Sequence, residues 1–184
     1  MMRPVTRRRL LPLLFAAFGP PATGAILDSD DGGFTVASSV VIDAPRTAVY
    51  STFVDDLNRW WSPELTVSGY AEALYLDPRP MGCFCETLGA GSGIVHMTVT
   101  LVNTNSMIRL TGSLGPLGLL GTSGNMTFEF EDTETGTLVS MQYAVGGYRP
   151  GGLGALAPDV DAVLADQLGR LKRFAETGDA VATP

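Results

Sequence analysis

Hydrophobic and polar positions repeat along this chain with two different periods. Towards the C-terminus, apolar residues fall at Val160, Val163, Leu164, Leu168, Leu171, Phe174 and Ala175, one face of a 3.6-residue repeat. Asp161, Asp166, Arg170, Lys172, Arg173 and Glu176 take the other face. The spacing predicts an amphipathic helix over residues 159–177. Pro158 is tolerated in its first turn, and Gly178 is placed to stop it. Such a helix needs an apolar surface, and each large side chain it buries stabilises by about 1.5–3 kcal/mol.

The middle of the chain supplies that surface. From residue 65 to 145 the period is two. Val95, Met97, Val99 and Leu101 alternate with His96, Thr98 and Thr100. Ile108 and Leu110 face inward in the next strand, followed by Met126, Phe128 and Phe130 against Thr127, Glu129 and Glu131. Val139, Met141, Tyr143 and Val145 alternate with Ser140 and Gln142. Shorter strands are expected over residues 65–69, 71–76 and 82–88. Ahead of them, residues 34–43 read as a strand. Pro45 then opens a helix carrying Val49, Tyr50, Phe53, Val54 and Leu57, which ends over residues 58–63.

These elements predict one α+β domain over residues 34–178: an antiparallel sheet of six or seven strands, two short helices after the first strand, and a long closing helix. Residues 26–33 read as a flexible leader and residues 179–184 as a disordered tail. Length and composition agree with one packed domain. The chain has 184 residues and is 45% hydrophobic and 17% charged, which excludes a disordered chain.

Residues 1–25 stand apart. Arg3, Arg7, Arg8 and Arg9 precede a short apolar run, and small residues lead to Ala25. This reads as an export signal cleaved after Ala25, and Thr6-Arg7-Arg8-Arg9-Leu10-Leu11 resembles a twin-arginine signal. An ordinary Sec signal with several arginines is the other reading. The location expected is periplasmic or secreted. Cleavage removes four arginines and leaves eight basic residues against nineteen acidic ones. That balance argues against a nucleic-acid partner and against docking on an anionic membrane. No other stretch reads as a membrane helix, and the mature protein is expected to be a monomer.

The opening Val41-Ile42-Asp43-Ala44-Pro45-Arg46-Thr47-Ala48-Val49-Tyr50, followed by Asn58-Arg59-Trp60-Trp61, resembles the "I-x-A-P-x-x-x-V-[WY]…W" start of the SRPBCC or START-like superfamily. The leucine-spaced final helix resembles that superfamily's end. The resemblance implies the Bet v 1 helix-grip fold, a curved sheet gripping the C-terminal helix with an apolar cavity between them. It implies a small apolar or amphipathic ligand, lipid-like or aromatic, and a lining of Trp61, Glu86, Met97, Val99, Arg109, Leu110, Met126, Phe128, Met141, Tyr143, Leu164 and Leu168. The superfamily spans carriers and cyclases, so fold alone decides no chemistry.

Candidate chemistry is sparse, and neither a cofactor nor a catalytic constellation is expected. His96 is the one histidine in the sequence. It reads as a surface or hydrogen-bonded strand residue, and a metal site with Cys83 and Cys85 would lack the usual fourth ligand. Cys83 and Cys85 are two apart in a strand and point to one face, which favours two small buried thiols over a strained in-strand disulfide. Glu86 is ordinary if it faces water. If it faces the cavity its pKa would rise, making it a candidate acid or base. Arg109 could meet a carboxylate ligand or cap Glu86 or Glu129. A cyclase or hydrolase using Glu86, Arg109 or His96 is the alternative to a binding protein. The glycine-rich residues 112–124 lack a Walker lysine and read as a flexible gate. N-terminal sequencing of the exported protein should find Ile26 first. An uncleaved cytoplasmic chain would overturn the export reading.

Overall fold

The computed structural model describes residues 22–181, so residues 1–21 of the expected signal and residues 182–184 of the expected tail lie outside it. The elements are β1 (Thr23–Asp30), β2 (Gly33–Ile42), α1 (Arg46–Asp55), α2 (Leu57–Trp60), β3 (Leu74–Leu76), β4 (Cys83–Thr87), β5 (Gly93–Asn103), β6 (Met107–Gly112), β7 (Gly121–Asp132), β8 (Thr137–Tyr148) and α3 (Ala157–Thr177). All eight strands join one antiparallel sheet in the order β1-β2-β8-β7-β6-β5-β4-β3. With α3 laid across β1 and β2, this is the helix-grip arrangement.

The period-two reading holds best in the middle of the sheet. β2 buries Phe34, Val36, Ser38, Val40 and Ile42, and β8 buries Val139, Met141, Tyr143 and Val145. One face of the sheet therefore carries the core, and the opposite face meets solvent. α1 and α2 bring Val49, Tyr50, Phe53, Leu57 and Trp60 onto the inner face from one side. α3 brings Ala157, Leu164, Leu168, Leu171 and Phe174 from the other. α3 stops where expected: Gly178 adopts φ +79°, and its N–H donates to the Phe174 carbonyl at 2.8 Å.

Several expectations change. Residues 26–33 are not a loose arm: most of them belong to β1, which pairs with β2 from Thr23↔Ser39 to Asp30↔Gly33. Its eight residues are all exposed, so backbone hydrogen bonds and not burial hold it, and hydrophobic patterning has nothing to report. The tail is tied as far as Ala180, which is buried and accepts from Arg173 Nε at 2.9 Å. Residues 65–69 form no strand; a 3₁₀ turn over Pro63–Leu65 and a loop replace it. The helical stretch ends within residues 58–63 as expected, but in two pieces, α1 stopping at Asp55 and α2 at Trp60.

The face of α3 is also rotated from the one expected. Val163 is 38% exposed, while Gln167 and Lys172 are buried. Lys172 Nζ reaches the Val41 carbonyl at 2.7 Å and Glu176 Oε1 at 2.6 Å, and that same Oε1 accepts the Asp43 N–H at 2.9 Å. A buried ammonium is tolerated because each contact is charge-assisted. Leu168 lies at the centre of the helix–sheet contact at 1% exposure. Leu168→Ala should therefore cost about 2–5 kcal/mol in urea denaturation, as for a core leucine left with a cavity.

Candidate functional site

Two irregularities in β5 decide what faces inward. The β4–β5 register shifts between Phe84↔Met97 and Cys85↔Val95, which leaves His96 as an extra residue. A second shift between Val99 and Leu101 leaves Thr100 over. A bulge re-aims side chains and reverses the alternation beyond it. Val95 and Leu101, expected inside, are 63% and 36% exposed. His96, expected on the polar face, turns in against Phe84, with its side chain 7% exposed. The packing there is tight: Gly112 on the neighbouring strand adopts φ +148°, and a Cβ would lie 3.0 Å from the His96 carbonyl.

His96 Nε2 meets Glu86 Oε2 at 2.9 Å. Glu86 is 1% exposed, so of the two orientations open to it from the sequence the inward one applies. The loop after α2 closes over it: Val67 N–H donates to Oε2 at 3.0 Å and Ser68 N–H to Oε1 at 2.5 Å. Burial alone would raise its pKa. The hydrogen bonds from Ser68, the Val67 amide and His96 outweigh burial and hold it at about 2. Glu86 is thus a fixed anion and not the raised acid that the sequence had suggested for an inward carboxyl. It orients the imidazole as carboxylates orient histidines in many sites, and among the described residues Nδ1 has no hydrogen-bond partner.

The pair stands at the end of a continuous file of rings. Phe84 lies 5.4 Å from His96, Trp61 lies 5.1 Å from Phe84, and Trp60 lies 5.4 Å from Trp61, centroid to centroid. Phe53 stacks on Trp60 at 5.7 Å and touches Phe128 and Phe130. α1, α2, β4, β5 and β7 each contribute to this file, so adjacency in sequence could reveal only the Trp60–Trp61 step.

Of the residues expected to line a cavity, Met97, Val99, Leu110, Met126, Phe128, Met141, Tyr143, Leu164 and Leu168 face the interior at 0–4% exposure. Trp61 is equally buried, against Phe84. Arg109 does not join them. It points to the outer face, where Nε donates to Thr127 Oγ1 at 3.0 Å, and it caps neither Glu86 nor Glu129. There it borders an open, polar cleft of about 730 Å³ with Ser39, Thr127, Glu129 and Gln142. Glu86 and His96 converge and Arg109 does not.

The thiols differ from expectation as well. Cys83 and Cys85 form a disulfide, with Cα atoms 5.3 Å apart. An extended strand places such residues about 6.6–6.8 Å apart. Local contraction of β4 beside the bulge brings them well within disulfide range. Among the described residues no cluster of three metal-ligating side chains occurs. The glycine-rich segment is pinned and not loose. Leu114 N–H donates to the Tyr143 hydroxyl at 3.2 Å, Ser113 Oγ donates to the Thr122 carbonyl at 2.6 Å, and Thr122 Oγ1 donates to the Leu117 carbonyl at 2.9 Å.

Two outcomes follow from this geometry. A carboxyl with a depressed folded-state pKa stabilises fully above its unfolded value near 4.5, and that stabilisation is lost as pH falls through about 2. Glu86→Gln should therefore cost about 2–4 kcal/mol near neutral pH. In denaturation curves taken at descending pH, its deficit against the parent should shrink between pH 4.5 and 2. Alkylation of the native protein should label no thiol. Cys83→Ser should destabilise by only about 1.5 kcal/mol, because so short a loop removes little chain entropy.

Comparison with known proteins agrees with this architecture. The family model described as polyketide cyclase/dehydrase and lipid transport matches residues 33–176. No curated protein matches the chain. Among solved structures, EF2215, a conserved protein of unknown function from Enterococcus faecalis, superposes with a TM-score of 0.60 at 15% identity, covering 88% of this chain and 80% of that one. CalU16 from Micromonospora echinospora gives 0.55 at 13% identity over 89% and 87%. The Aha1 dimer from Colwellia psychrerythraea gives 0.51 at 17% identity over 78% and 97%. At these identities the likeness is one of fold. The match over residues 33–176, on a helix-grip framework, makes this chain a member of the polyketide cyclase/dehydrase and lipid-transport family within the SRPBCC-like superfamily.

Proposed function

We propose that this chain is an exported, monomeric binder of a small aromatic or amphipathic molecule, taken up between the inner face of the sheet and α3. The observation that carries the reading is the aromatic file ending on the Glu86–His96 pair. A ligand laid along it would meet ring faces over its apolar body and an oriented imidazole at its polar end. Met97, Met126 and Met141 lie on the same inner face. Unbranched and polarizable, they can repack to admit a guest. The family description supports a ligand that is largely apolar. No helix among the described residues is long and apolar enough to cross a membrane. The acidic balance supports a partner other than nucleic acid.

The proposed export cut after Ala25 falls three residues into β1 and would remove the pairs that Thr23, Gly24 and Ala25 make with Ser39, Ser38 and Ala37. Export and ligand uptake are therefore best tested on the mature chain as isolated.

One observation favours a second reading, a cyclase- or hydrolase-type enzyme. Glu86 fixes one imidazole nitrogen and leaves the other uncommitted, as a general base requires.

Thermal-shift and native-mass screening against lipids and aromatic metabolites should yield a 1:1 adduct that raises Tm. With methyl-labelled methionine, the adduct should perturb Met97, Met126 and Met141 and spare Met81, which is 83% exposed. Perturbation confined to Met81 would refute interior binding. Turnover lost in His96→Ala with ligand affinity retained would favour the enzyme.

A further inference from the structure

Strand alternation puts the Cys83–Cys85 bridge on the outer side of β4, opposite Phe84 and Glu86. On that face Cys85 is paired with Tyr75 of β3 and with Val95 of β5. These two neighbours are 48% and 63% exposed. Cys85 is buried, whereas Cys83 is partly exposed. Met81, two residues before Cys83, stands in solvent. The fold has little need of a bridge here. β4 is already paired with β3 on one side and β5 on the other. The turn leading into it is held by the Asp77 N–H on the Cys83 carbonyl at 2.9 Å and the Val99 N–H on the Gly82 carbonyl at 2.8 Å. The bridge spans a single residue, Phe84, so closing it removes little chain entropy. A disulfide that is reachable and that the fold does not need is the kind that exchanges with thiols.

We propose that Cys83–Cys85 is a thiol–disulfide exchange site that oxidises a dithiol in a polypeptide whose attacking cysteine has apolar neighbours. The first substrate thiol gives up its proton and attacks Cys83 Sγ, the partly exposed end. A bond forms between those two sulfurs and the Cys83–Cys85 bond breaks. Cys85 Sγ leaves with the electron pair and takes up a proton. The second substrate thiol then loses its proton and attacks the substrate sulfur of the mixed disulfide. Cys83 Sγ is released as a thiolate and is protonated in turn. Two electrons pass from the substrate dithiol to this chain, and no other oxidant is consumed. Exposed Tyr75, Val95 and Met81 receive the apolar neighbours of the substrate cysteine. A small hydrophilic thiol such as glutathione lacks those neighbours, so the surface selects the polypeptide. The site lies outside the interior proposed for the ligand, and neither reading depends on the other.

The folded, oxidised chain can be mixed with a synthetic peptide carrying two cysteines flanked by leucine and phenylalanine, with a serine-flanked version, and with glutathione. Acid quenching, alkylation and mass spectrometry then read the products. One peptide disulfide should form per chain. The apolar peptide should react about tenfold faster than the other two thiols, the effect of burying one apolar side chain. A single-cysteine form of it should stop at the mixed disulfide, and fragment masses should place that adduct on Cys83. Tyr75→Ser and Val95→Ser should each remove the preference for the apolar peptide. Tyr148→Ser, at an equally exposed tyrosine on β8, should keep it. Exchange that occurs only in urea, or only at the rate at which the chain unfolds, would overturn the proposal and leave the bridge structural. Equal rates for the three thiols, or an adduct on Cys85, would overturn it as well, and these readings need the wild type alone.

Discussion

A carboxylate buried among aromatic rings must be met by donors or give up its charge. Glu86 keeps its charge, and much of the surrounding structure follows from that. The loop after α2 must fold back so that the Val67 and Ser68 amides reach it. β5 must take an extra residue so that His96 turns inward beside it. The same loop follows directly on Trp60 and Trp61, so the anchoring of the anion also fixes the tryptophans against Phe84. One electrostatic requirement thereby joins the helical layer to the far end of the sheet.

Burial periodicity made much of the fold legible. Strands buried on one face announce themselves by period two, as β7 and β8 do, and α3 does so by its leucines. The motif from Ile42 to Tyr50 resembles the opening of the helix-grip framework in sequence alone. Features held by backbone bonds alone left no such trace. β1 buries nothing, so its sequence looks like a loose arm. Lys172 looks solvent-facing because its partners, the Val41 carbonyl and Glu176, are assembled only by the tertiary fold.

The candidate site was legible only in part. Met97, Met126, Met141, Phe128 and Tyr143 share the inner face as their alternation implies. Alternation fails at the bulges, and the chemistry sits at one of them. A single inserted residue exchanges His96 for Val95 on the inner face. A strict period-two reading had placed the histidine among the polar positions. A charged residue directly after Phe84 and Cys85, as Glu86 is, was the one signal in the sequence that something unusual was buried there. Arg109 carried a similar signal between Ile108 and Leu110, but it simply obeys the alternation and faces outward.

β1 contributes no core, yet it occupies the outer side of β2, a strand whose alternate residues are fully committed to the interior. Without it, the N–H and C=O groups of β2 would stand open as a template for a strand from another molecule. β1 is a poor template in its own right: it carries Asp28 and Asp30, and its register slips between Ile26 and Asp28. An irregular, charged border of this kind discourages edge-to-edge pairing. The most exposed strand of the protein thus guards the solubility of the fold, and its loss would be felt first as aggregation.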